Sequence, residues 1–507
     1  MSLTITPQPR LLEYALDPQE STPAPVDRGR RGRASGAGRS AAPEAVTSRS
    51  AADPLTLSGL AACVEEARAT ALSRKGPPPD PVSFASLRER VGAAVAKLPP
   101  AYRRAVGEPL VALLDRLGAA GYARVLAQDP GREGTAGLLL DVVQAVLQRA
   151  EGYGARATDA FQEVVSDLYE GFVAAEGRTG VKPPDAGTLP PLVRWGSPES
   201  GPYTWPATAT AALGVKAGVV SLPAANAQGG LLAWPALAHE TAGHDILEAD
   251  EGLSRELAAA VSERLKGERL DPAIASYWSS RIDEVAADVL GVLNMGPAAA
   301  VGLVGYFRAL NGAWKGTAAL RNVGRADDPH PADIARAYLA AETVRLLSFE
   351  GAARWADRLT SEIDRDLGRV WFGGLQVTSG VAKASAAAVA RAIVQTRLAS
   401  LEGHALGEIQ GWTDRDEAIV ASLRQGLDGK GTKAGAASSP GRYAEGAYAA
   451  HAVAAGIYEA VSGRSQPAEV TRGLVAMLDA MHDRNPAAKA SPAARVRSTW
   501  EPRPAVA

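Results

Sequence analysis

Six histidines occur among the 507 residues, and two of them fall in Ala238-His-Glu-Thr-Ala-Gly-His-Asp245. Metal-assisted hydrolysis needs two neutral imidazoles facing one ion and a carboxylate close enough to take a proton from water. The common solution is His-Glu-x-x-His, with the histidines at i and i+4 on one helical face. Here His239 and His244 stand at i and i+5. On a regular α-helix that pair is separated by about 140° and about 7.5 Å of rise, and does not converge. One extra residue taken up as a local π-type expansion would carry His244 back beside His239. Gly243, which has no Cβ to clash, suits a distorted turn at that point. The residues therefore read as a metal-binding pair with Glu240 as general base, on a helix with a defect. The plainer reading is two satisfied polar residues on an amphipathic helix, with Glu240 at the surface.

The expanded pattern His-Glu-x-x-Gly-His is the signature of the dipeptidyl peptidase III family of zinc peptidases. His239-Glu240-Thr-Ala-Gly243-His244 resembles it at every fixed position. A downstream Glu-Glu-x-x-Ala-Glu/Asp motif supplies that family's third zinc ligand. This chain has Asp283-Glu-Val-Ala-Ala-Asp288, which begins with Asp where the family has Glu. Glu284-x-x-x-Asp288 is also similar to the third-ligand motif of the wider gluzincin class. The resemblance runs from Trp234 to about Gly291. It implies Zn2+ as the metal, Glu284 as the third ligand, and Asp288 as the carboxylate that orients a ligand histidine by accepting its ring N–H. It also implies a metallopeptidase with a gluzincin-like core.

A third histidine lies in Asp327-Asp-Pro-His-Pro-Ala-Asp-Ile-Ala-Arg336, where Pro329 and Pro331 hold His330 just ahead of a helix. In several zinc peptidases a downstream His or Tyr donates to the tetrahedral oxyanion. His330 is the candidate here, with Asp333 or Arg336 flanking it; Tyr306 competes, although a tyrosine packed in a helical core is its simpler explanation. Asp245 either supports His244 or is solvated, and Asp250-Glu251 reads as a surface helix end. His404, His451 and His482 are isolated and read as core or surface residues, and Trp278, Trp314 and Trp371 as packing.

The elements that must position these groups are mainly helical. Leu110, Leu113, Leu114 and Leu117 recur at helical spacing, as do Leu138, Val142, Val146 and Leu147, and then Phe161, Val164, Val165, Leu168 and Phe172. Glu65-Glu66 and Arg88-Glu89-Arg90 read as solvated faces. Pro183, Pro184, Pro190 and Pro191 interrupt the helical pattern. Leu192 to Trp195, Ala207 to Val215 and Ala217 to Leu222 read as short extended segments. This small β-element directly precedes the histidine helix, where an edge strand could pair with an extended peptide. Helical periodicity then resumes, broken by a strand-like Val370 to Val377 and a loop over Gly429 to Gly441, with helices near 443–462 and 466–482. The expected fold is mainly α: helical bundle domains with a small β-element before the metal-binding helix. The expected division is a disordered tail (1–52), a helical N-terminal domain (53–180), the zinc-binding catalytic core (181–350), a helical C-terminal domain (351–490) and a tail (491–507).

Fifty-four basic against fifty-six acidic residues leave a net charge of −2, so no nucleic-acid or anionic-membrane partner is expected. The short basic run Arg28 to Arg33 reads as a solvated tail. The single cysteine, Cys63, excludes a disulfide framework and reads as core filler. Neither a signal peptide nor an apolar run of spanning length is found, so a cytoplasmic location is expected. The substrate would be a peptide or a small amide. Two rival functions keep less of this chemistry: a zinc hydrolase of small amides or esters, and a non-enzymatic metal-binding or helical scaffold.

Overall fold

A computed structural model describes residues 56–81, 83–173, 180–185, 189–427 and 447–485. The two tails and the 429–441 loop lie outside the described residues. Helix accounts for 67% of the structure and strand for 6%, a mainly-α fold with small sheets. Among the described residues, no helix is long and apolar enough to cross a membrane.

The periodic apolar residues become buried helix faces. Helix Thr135–Glu151 is buried over every residue from Ala136 to Gln148, and Phe161, Val164, Val165, Leu168 and Phe172 of helix Ala155–Val173 are all buried. Helix Glu108–Gln128 buries Leu110 and Leu114 and is kinked at Gly118, whose φ of 58° lies in the region glycine tolerates.

Three strands, β1 (Leu192–Gly196), β2 (Tyr203–Trp205) and β3 (Val219–Pro223), form a sheet of order β1-β3-β2, with β1 parallel and β2 antiparallel to β3. Successive strand residues face opposite sides. Leu192, Trp205 and Val219 accordingly join a smaller core with helices Phe84–Val95, Glu108–Gln128 and Thr135–Glu151. Val193, Trp195, Val220 and Leu222 join the main core on the other side. A sheet buried on both faces has no polar face to show in its sequence.

The main core draws residues from both ends of the described chain. Helix Leu60–Ala71 packs on Pro297–Trp314, and Ala155–Val173 packs on Pro467–Arg484, so both ends of the described chain enclose the middle. Glu66 is not a merely solvated charge: its carboxylate accepts the Gly230 N–H at 2.7 Å and the Leu231 N–H at 3.2 Å, holding the turn that leads to the histidines.

The segment expected to be extended after β2 is helical. Ala207 to Val215 forms a helical turn, Ala207–Thr210, and a 3-10 turn, Ala211–Leu213. Pro206 ends β2, and the Ala207 N–H is capped at 3.1 Å by the distant Asp245 carboxylate, a contact that local sequence cannot reveal. The Val370 to Val377 segment is a hairpin of β5 (Val370–Phe372) and β6 (Leu375–Val377), preceded in the sheet by β4 (Val323–Gly324). Its turn uses Gly373 and Gly374, with φ of 59° and 98°. The C-terminal pair is Ala449–Val461 and Pro467–Arg484.

Cys63 is fully buried in helix Leu60–Ala71, and burial, with the Glu66 charge nearby, pushes its thiol up to about 12. Only the thiolate reacts. Native protein should therefore consume essentially no Ellman's reagent at pH 8, and one equivalent per chain after addition of guanidinium; fast native labelling would contradict this packing.

Candidate metal centre

The histidine segment is an α-turn, Ala236–His239, running directly into a π-turn, Glu240–Asp245. The expansion brings the i and i+5 histidines onto one side, their ring centroids 4.8 Å apart and their Nε2 atoms 3.2 Å apart. Gly243 is needed here for a different reason from the one its turn suggests. Its backbone is not among the positive-φ glycines. A Cβ at 243 would instead lie 2.3 Å from the Ala287 Cβ and 2.5 Å from the Ala287 Cα. Helix Ile282–Met295 thus lies directly against the widened turn, and this approach delivers Glu284 to the histidines.

Glu284 reaches His239 Nε2 at 3.4 Å through Oε2 and His244 Nε2 at 3.5 Å through Oε1. One nitrogen or oxygen from each of the three residues falls within 4.8 Å of the others. Donors placed about 2.0–2.1 Å from a shared tetrahedral centre stand roughly 3.3 Å from each other. The observed separations are close to that edge. The Glu284 Oε2 atom is also buried without a hydrogen bond of good geometry, which an ion would satisfy. The donor set therefore fits a divalent metal. The side chains of His239, His244 and Glu284 remain 13%, 9% and 11% exposed, whereas Asp288 behind them is 0% exposed. The three donors thus keep slightly more exposure than the carboxylate that supports them.

Those supports are charged. The Asp288 Oδ1 lies 2.9 Å from His239 Nδ1; with the carboxylate accepting that N–H, the Nε2 lone pair of a neutral ring is directed to the centre. Arg336, on helix Asp333–Arg345, grips both Asp288 oxygens at 2.7 and 2.8 Å, lies 3.4 Å from Glu284 Oε2 and stacks on Phe307. Its role as a clamp on Asp288, rather than a neighbour of His330, is visible only in three dimensions. Burial opposes charge on His239, but the Asp288 and Glu284 carboxylates outweigh it and raise its pKa to about 10. Burial likewise opposes ionisation of Glu284 and Asp288. The charges of His330 and His244 hold Glu284 well below the usual carboxylate range, and Arg336 with His239 lowers Asp288. The two carboxylates favour a proton on His239, and a metal would compete with that proton for the same nitrogen.

His330 enters the same cluster, buried, with Nε2 at 3.3 Å from Glu284 Oε1. Asp328 receives both the His330 backbone N–H, at 2.9 Å, and ring Nδ1, at 3.2 Å. The Asp-Pro-His spacing carries that local turn. Asp333 instead ties Arg321 and Asn311 at the helix start.

Glu240 is buried, and Thr204 of β2 lies 2.9 Å from its Oε2 and 3.0 Å from its backbone carbonyl. Thr204 carries no signal of this contact in the sequence, because nothing local links a strand residue to a helix 36 positions later. Tyr306 is buried near Glu240; burial first, and that charge second, push its phenol upward. Asp245 is neither solvated nor a support for His244. It is buried, caps Ala207, and its pKa rises to about 7 through desolvation. Asp250 is also buried rather than at the surface. The other histidines sit elsewhere: His451 joins Tyr448 N–H to Asp416, His482 meets Glu163, and His404 meets the Leu401 carbonyl. Trp278 is core, its indole N–H on Ser385.

No family model matches this chain, and searches of curated proteins and of solved structures find no similar protein.

The Gly243 contact makes a sharp test. Gly243→Ala must separate the π-turn from Ala287, and overpacking of this kind costs about 1–3 kcal/mol. Differential scanning calorimetry should show a clearly lowered Tm, whereas Gly267→Ala, where an added Cβ meets nothing within 4 Å, should not lower it.

Proposed function

We propose that the chain is a zinc-dependent hydrolase, with His239, His244 and Glu284 as metal ligands and Glu240 as general base. The observation that carries this reading is the convergence of two imidazole Nε2 atoms and the buried Glu284 carboxylate at 3.2, 3.4 and 3.5 Å, beside a turn that also bears Glu240. Zinc in a three-ligand site supplies Lewis acidity and makes water a competent nucleophile near neutral pH. Asp288 orients His239, and Arg336 orients Asp288. Glu240 takes the proton from the attacking water and returns it to the leaving amine. His330, its Nδ1 held by Asp328, would serve the developing oxyanion from Nε2 with both ring nitrogens protonated, since a neutral ring that donates from Nδ1 only accepts at Nε2; Tyr306 stands beside Glu240 as the other donor.

A peptide bond is the preferred target. β2 is an edge strand of its sheet and touches the π-turn through Thr204, so an extended chain could add to the sheet beside the base. The resemblance of His239-Glu240-Thr-Ala-Gly243-His244 to the dipeptidyl peptidase III signature points the same way.

Two measurements test the assignment. Zinc-reconstituted protein should cleave a peptide library, and Glu240→Gln should lower turnover by about 100- to 10,000-fold, the usual contribution of a general base, while retaining about one zinc per chain by elemental analysis. Undiminished turnover in that variant, or a wild type that takes up no zinc, would overturn the reading. Asp288→Asn should leave the fold in place but weaken zinc binding by about 10- to 100-fold in chelator competition; unchanged affinity would remove Asp288 from the site.

A further inference from the structure

We propose that Thr204 is a positioning residue for Glu240, so that one strand sets both the general base and the line along which an extended substrate lies. This inference rests on the hydrolase reading above. Thr204 is the middle residue of the three-residue edge strand β2 and is 2% exposed. Its Oγ1 stands between two acceptors of one residue, the Glu240 carboxylate Oε2 at 2.9 Å and the Glu240 carbonyl at 3.0 Å. A carbonyl and an ionised carboxylate can only accept, so the hydroxyl is the donor in both arrangements. A side chain held against its own backbone in this way loses most of its rotamer freedom. With Oε2 engaged on the sheet side, Oε1 is the oxygen available for proton transfer.

The requirement is geometric. A general base works within about 2.6–3.2 Å of the proton it removes, and a misplacement of about 1 Å can cost two orders of magnitude in rate. The π-turn increases the need for an external tether, because its widened hydrogen-bond pattern holds the backbone less uniformly than an α-helix does. Thr204 also belongs to the strand proposed to align the substrate. Movement of β2 would thus shift substrate and base together and preserve their spacing. A merely structural Thr204 would cap the Glu240 carbonyl and leave the carboxylate unaffected.

The test compares Thr204→Val, which keeps shape and removes the hydroxyl, with Thr204→Ser, which keeps the donor. Thr204→Val should lower kcat by about tenfold to a hundredfold, as expected for losing a hydrogen bond to a charged group, with KM and zinc content unchanged. Thr204→Ser should recover most of that loss. On a Glu240→Gln background, Thr204→Val should add nothing, since a residue acting through Glu240 has no further route to the reaction. The visible absorption of the Co2+-loaded protein gives a readout independent of turnover: Thr204→Val should shift the band as Glu240→Gln does, and Thr204→Ser should match wild type. Wild-type kcat in Thr204→Val, an equal loss on both backgrounds, or an unshifted cobalt band would overturn the proposal. If the valine variant fails to fold, Thr204→Cys, of similar volume and with a weak donor, takes its place under the same criteria. Full activity in Glu240→Gln would instead overturn the hydrolase reading, and the cobalt bands would still decide whether Thr204 holds the carboxylate.

Discussion

The approach of helix Ile282–Met295 to the widened turn at Gly243 is the contact on which the centre depends. Two backbones meet with no room for a single methyl group, since a Cβ at 243 would fall 2.3 Å from that of Ala287. Glu284 and Asp288 lie three residues before and one residue after Ala287, and the two histidines immediately flank the Glu240 to Gly243 stretch. Closing this gap therefore places both carboxylates on the imidazoles in one step. Gly302 fits closely against Pro235 and Gly305 against Leu232 in the same way, so helix Pro297–Trp314 supports the start of the histidine segment.

Charge ordering extends the same logic outward. An isolated pair of buried carboxylates would be costly, yet Glu284 and Asp288 are surrounded by His239, His244, His330 and Arg336, with Asp328 behind His330. Arg336 divides the Asp288 carboxylate with His239 and keeps that side chain fixed. The centre is thus assembled from three stretches far apart in sequence: the histidine turn, helix Ile282–Met295, and the Pro-bounded turn that leads directly into helix Asp333–Arg345. The side chains of His239, His244 and Glu284 keep some exposure while the supporting charges are sealed.

The small sheet contributes from the opposite side. It lies between two apolar cores, and its edge strand β2 meets the π-turn through Thr204. A buried network reinforces this: Asp141 of helix Thr135–Glu151 accepts from Arg194, from the Tyr203 hydroxyl at 2.5 Å and from the Trp205 indole at 2.8 Å. The strand beside Glu240 is thereby pinned to the smaller core by the residues on either side of Thr204.

Residue spacing by itself determined the helical character, the position of the small β-element, and the need for an expanded turn between His239 and His244. These are local properties: a 3.6-residue period, Pro and Gly interruptions, and the angle that five residues subtend on a helix. The pairing of Asp288 with a histidine of the motif came from motif resemblance rather than periodicity. Tertiary structure alone decided the rest. Gly243 answers to Ala287 and not to its own turn, Ala207 to Leu213 is helical under a cap from Asp245, and Thr204, Arg336 and Asp328 take their places through contacts that no local pattern encodes. The sheet's two buried faces erased the alternation that would have marked its strands. Local spacing limits which groups can share a face; only packing decides which faces meet.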